Sequence, residues 1–185
     1  MLTPSLEVPP RRMRIRRLSR VMILVAHGAS VLLPIGLLAM WLLVPAEQFA
    51  RQAQVPVAWM GDFGLGQRLI GYLITMVPAG FLVRALWSIR NCFSGFARGE
   101  LFTAAAAKGF RDFAAGLFLS AFAQPFAGAA FSVLTSWNAP EGQKQLAFAI
   151  SSDTLLVLFL AALLAIVGWV LAEATIIADE HAQFV

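Results

Sequence analysis

The chain has 185 residues, 59% of them hydrophobic and only 13% charged, with a mean hydropathy of +0.77. A soluble domain carries about 45–50% apolar and about 25% charged residues, so this composition excludes a nucleic-acid-binding globule, a disordered chain and a disulfide-stapled secreted domain. The net charge of +4 and the pI of 10.2 do not point to nucleic acid, because six of the fourteen basic residues crowd into Arg11–Arg20, directly before a long apolar run.

That run opens an integral membrane protein. A crossing helix needs about 20 mostly apolar residues to span about 30 Å of hydrocarbon. Four stretches meet this, over 21–44, 69–90, 113–137 and 154–172. Strands are excluded, since the runs are long and do not alternate polar with apolar residues. The predicted fold is therefore an all-α integral membrane protein, a four transmembrane helix bundle with both termini cytoplasmic. Residues 1–20 form a basic arm, 21–178 the membrane domain and 179–185 a short acidic tail.

The first span, Val21–Val44, carries no charge. Behind its basic arm it looks like a signal peptide, but a signal core has about 7–15 apolar residues and this one is longer, so it is expected to stay as a span. The connection Pro45–Arg68 reads as a loop or a short interfacial helix on the outer surface. The second span contains Arg84. After it, Gly95 and Gly99 punctuate the connection Asn91–Asp112, and Thr103 can cap the next helix. There Phe102, Ala106, Phe110, Phe113 and Leu117 build one apolar face, while Lys108, Arg111 and Asp112 fall away from it. This segment either lies in the headgroup layer or leads the third helix out of the membrane.

In the third span Ala115, Gly116, Ser120, Ala123, Ala127, Gly128 and Ala130 allow close backbone approach, marking a packing hub within one chain or between copies. The connection Asn138–Thr154 opens on an Asn-Ala-Pro-Glu-Gly turn signal. Ser152 or Asp153 then caps the fourth span. The single Cys92 can form no internal disulfide and reads as a small hydrophobe.

Lysine and arginine set the orientation. Ten lie in the arm and in the connection between spans two and three; only Arg51, Arg68 and Lys144 lie on the other side. The positive-inside rule makes the ten-residue side cytoplasmic, and in a bacterium the membrane is the inner one. Trp41, Trp59, Trp87 and Trp137 fall near span ends, as an aromatic belt would place them.

Polar groups inside the spans are the candidates for function. Arg84 stands six residues before Arg90, roughly 9 Å along a helix, and either snorkels to the headgroups or pairs with Glu173. His27 is expected to make an interhelical hydrogen bond, and Gln124 to help satisfy the carbonyl freed by Pro125. Pro34, Pro78 and Pro125 imply kinks or breaks. Asp179, Glu180 and His181 are consecutive and share no helix face, so they form no metal site. With no phosphate-binding loop, His-Glu-x-x-His motif or serine elbow, the reading has no catalytic residues, no cofactor and no metal.

Two stretches carry a resemblance. Gly99-Glu100-Leu101-Phe102-Thr103, followed by Lys108-Gly109-Phe110-Arg111, resembles the cytoplasmic segment of the bacterial domain-of-unknown-function family 2975. Leu171-Ala172-Glu173 through Ile177, Asp179-Glu180 and Val185 is similar to that family's closing helix and acidic tail. The resemblance spans roughly residues 20–185, with departures at His181-Ala182 and in the plain run Ala104–Ala107. It implies a four-span bacterial membrane protein, without known catalysis, that accompanies small helix-turn-helix regulators.

The expected function is thus a non-enzymatic regulatory or interaction component. Its cytoplasmic surface would include Gly99, Phe102, Thr103, Arg111, Glu173 and Glu180. The expected partners are the lipid bilayer and a cytoplasmic protein, with no direct nucleic-acid binding; a homo-oligomer is compatible. The alternative is a small transporter or lipid-binding protein with Arg84, His27 and Gln124 in a polar site inside the bundle.

Overall fold

The computed structural model describes residues 10–60, 63–98 and 103–183. Four long helices dominate it: α1 (Pro10–Leu43), α3 (Leu65–Arg98), α4 (Ala104–Thr135) and α5 (Ser152–Gln183). A short α2 (Ala46–Ala53) and a single 3-10 turn (Val57–Met60) fill the connection between α1 and α3. No strand occurs among the described residues. All four long helices are long and apolar enough to cross a membrane. In hydrocarbon a helix satisfies its backbone groups internally, which is why such apolar runs fold this way.

Local chemistry sets the helix ends. Thr103 Oγ1 accepts the Ala106 N–H at 3.2 Å and starts α4 as expected. At α5 the cap is Ser151, whose Oγ accepts the Thr154 N–H at 3.1 Å; Ser152, one of the two expected caps, is already helical. Pro34, Pro78 and Pro125 break no helix: each lies inside a continuous one, and Pro78 and Pro125 are buried. Likewise α4 runs unbroken from Ala104, so its first turns lead out of the span and form no separate headgroup-layer helix. The basic arm is helical too, from Pro10 onward.

The helices do not close into the expected bundle. Each packs on its neighbour in sequence, α1 on α3, α3 on α4 and α4 on α5, while α1 and α5 share no extended contact. The result is a curved row with α3 and α4 in the middle. A third of the most apolar window of α4 is buried, against 11% for α1 and for α5, which confirms α4 as the hub. Gly116 makes the α3–α4 approach: a Cβ there would stand 2.8 Å from Ala85 Cβ and 3.0 Å from the Phe81 carbonyl. Of the other small residues of the hub, Ala115 and Gly128 face away from this contact and are exposed.

One end of the row holds the main core. Trp41 is 1% exposed, stacks on Phe49 of α2 at 4.5 Å and meets Phe131 edge-on at 6.0 Å. Its indole N–H donates to Thr75 Oγ1 at 3.0 Å. Gly71 lies directly under the ring, where any Cβ would overlap it. Trp41 is therefore a core residue, unlike the belt residue its position near a span end predicts. Trp87, Trp137 and Trp169 are the exposed tryptophans of belt type. Helix α2 buries Phe49 and Ala50 and exposes Glu47 and Arg51, as a short interfacial helix does.

Candidate functional site

Each long helix has 32–34 residues, so at 1.5 Å per residue it measures about 48–51 Å, against about 30 Å of hydrocarbon. At the Trp41 end the helices stop close to the limits of the apolar spans. The excess length therefore falls at the opposite end, over residues 10–20, 90–98, 104–112 and 173–183. These four overruns hold ten of the fourteen basic residues, against the acidic Asp112, Glu173, Asp179 and Glu180. A helical, positively charged end results.

The expected interaction residues meet there only in part. Gly99 and Phe102 lie outside the described residues. Thr103 serves as the α4 cap. Arg111 is exposed and crosses Gly168 of α5, where an added Cβ would come within 2.9 Å of Arg111 Cγ. Glu173 is exposed on α5, and Glu180 belongs to its last turns. Ala106 is buried with Ala26 and Ile89, and Phe110 and Phe113 pack against them, so the apolar face of this segment joins three helices.

The three polar residues of the spans do not converge. Arg84 is exposed on α3 and lines a shallow groove to which, among the described residues, only that helix contributes. It does not pair with Glu173, because α4 stands between their helices. Ala85 meets α4 at Gly116, whereas α5 meets it at Arg111 through Gly168. Glu173 lies a further turn and more along α5, so the two charged residues differ by about 15 Å along the axis. His27 is exposed and its side chain makes no interhelical hydrogen bond; its carbonyl accepts from Ser30 Oγ at 2.8 Å. Gln124 is exposed, and among the described residues its side chain makes no hydrogen bond to the carbonyl freed by Pro125.

Gln124 instead lines a cavity of about 360 Å³ on the concave side of the row, between α1, α3 and α4 and under α2. Leu82, Ser120 and Gln124 are shared with a second cavity of about 410 Å³, which reaches Asp153 and Thr154 at the start of α5. Together they form a groove in the opening left between α1 and α5. Its α1–α3 part is mostly apolar, with Gln52, Thr75, Ser120 and Gln124 as polar points, and its α5 part adds Ser151, Asp153 and Thr154. No periodicity in the sequence reveals it, because it exists only where the row fails to close.

Three further residues, Arg68, Ser132 and Ser136, tie the connections to the helices. Arg68 Nη1 donates to the carbonyls of Trp41 at 2.7 Å and Val44 at 2.8 Å, and its guanidinium lies over the Phe63 ring at 5.8 Å. This cation at the start of α3 satisfies the orphan carbonyls ending α1. Ser132 and Ser136 of α4 hold the extended chain after the turn: Ala147 N–H donates to Ser132 Oγ at 2.9 Å and Gln145 N–H to Ser136 Oγ at 3.1 Å.

Comparison with known protein families, curated proteins and solved structures found no match. The chemistry must therefore be read from the chain itself. Among the described residues no group of three or more His, Cys, Asp or Glu side chains could hold a metal ion. What the arrangement offers is a charged helical end, an amphipathic groove and unpaired arginines on a lipid-sized apolar surface.

Proposed function

We propose that this chain is a multi-pass protein of the bacterial inner membrane that acts without catalysis, as a regulatory or interaction component. Its cytoplasmic face is the basic helical end, and both termini lie there. The observation that supports this reading is the one-sided excess length of all four long helices: about three turns of α1 and α5 exceed what a crossing of the hydrocarbon needs. A protein needed only to pack within lipid has no use for such extensions. Their positive charge suits orientation by the positive-inside rule and docking of an acidic surface on a cytoplasmic protein.

The resemblance to family 2975 makes a small helix-turn-helix regulator the partner class to test first. Site-specific photo-crosslinkers at Lys108 and Glu173 in living cells are expected to trap one soluble protein. Replacement of Arg111 by Glu is expected to reduce that adduct. Recovery of lipid and self-adducts alone would refute the reading.

The concave groove favours a second reading, binding of a lipid or other amphiphile between α1 and α5. It retains Gln124 from the polar trio but not Arg84 or His27, which lie elsewhere.

A further inference from the structure

We propose that the outward face of α3 binds one anionic phospholipid through its phosphate, gripped by Arg84 and Arg90. The inference rests on the membrane embedding proposed above, but neither on its orientation nor on the protein partner.

The groove there, about 490 Å³, is lined among the described residues by Gly80, Val83, Arg84, Trp87, Ser88 and Arg90, all of α3. Arg84 and Arg90 are exposed, and neither guanidinium takes part in a hydrogen bond or ion pair; the ion pair formed among the described residues is Glu47–Arg51. A guanidinium in an apolar span, such as that of Arg84, requires an anion or water as its partner. Among the described residues no carboxylate lines the groove. A phosphodiester is the anion that a bilayer supplies at this depth, and the guanidinium fork matches its two free oxygens.

The positions fit a lipid from head to tail. Arg84 stands about 9 Å deeper than Arg90, within the reach of a side chain that bends toward the headgroups, so the two cations can bracket one phosphate. Trp87 is 60% exposed between them and can place its indole N–H at the headgroup level. One turn below Arg84, Gly80 leaves open space, where a Cβ would meet nothing within 4 Å. An acyl chain can lie in that gap beside Val83. Two cations without a carboxylate disfavour the amine of a zwitterionic headgroup, so the ligand is a lipid of net negative charge.

The test uses the full chain purified in neutral detergent and titrated by native mass spectrometry with phosphatidylglycerol or phosphatidylcholine. Phosphatidylglycerol is expected to fill one site about tenfold more tightly than phosphatidylcholine. The double variant Arg84→Gln, Arg90→Gln is expected to lose that preference, while Arg84→Lys keeps part of it and Arg51→Gln all of it. Excess inorganic phosphate is expected to leave the lipid in place; displacement would assign the site to soluble phosphate and overturn the proposal. So would equal binding of the two lipids, or a double variant within twofold of the parent. Circular dichroism of the variants checks that the helices are kept. Failure of the parent protein to float with vesicles would refute the membrane embedding itself, a separate outcome.

Discussion

At the last turn of α1 the carbonyls of Trp41 and Val44 have no amide of their own helix to accept from, and Arg68 supplies the donor from the next helix. Replacing Arg68 by Ala removes a charged donor and leaves these carbonyls bare beside the aromatic core, a loss of about 2–3 kcal/mol. Arg68→Lys keeps the charge without the fork and should lose less. Thermal unfolding in detergent checks both; an alanine variant that melts with the parent would show the contact to be idle. This role was partly legible in the sequence, where Arg68 is the lone cation opening the second span after a connection rich in Gly and Pro. Trp41 was less so, because nearness to a span end describes both a belt tryptophan and one buried under α2. Only the glycine at position 71, opposite its ring, separates the two cases.

Among elements, the small residues of α4 are not equivalent. Gly116 is pressed against Ala85 and the Phe81 carbonyl, whereas Gly128 borders the concave cavity with nothing within 4 Å of an added Cβ. Gly116→Ala must part α3 from α4 and should cost about 1–3 kcal/mol. Gly128→Ala should be neutral or gain up to about 1 kcal/mol from helix propensity. Equal melting temperatures for the two variants in detergent would contradict the observed pairing of faces. Local sequence signals located the four long apolar helices, the hub in α4 and the Thr103 cap, because length, small residues and capping are local properties. The order of packing was not local. The expected bundle, and with it the Arg84–Glu173 pair, assumed that helices of similar depth become neighbours, and the row places α4 between them.

For the whole molecule, each long helix ends close to its apolar span at the aromatic side and overruns that span at the basic side, and that asymmetry is what the proposed function rests on. The aromatic end is locked by Trp41, Arg68 and α2; the other carries most of the charge on helices that outlast the apolar spans. Topology decides whether those extensions can meet a cytoplasmic partner. The direct measurement is labelling of single cysteines, in a Cys92→Ala background, with a membrane-impermeant maleimide. Cysteines replacing Gln48 and Lys144 are predicted to react in intact spheroplasts, and those replacing Lys108 and Glu173 only after the membrane is opened. Labelling of positions 108 and 173 in intact spheroplasts would place the basic end outside and contradict the account.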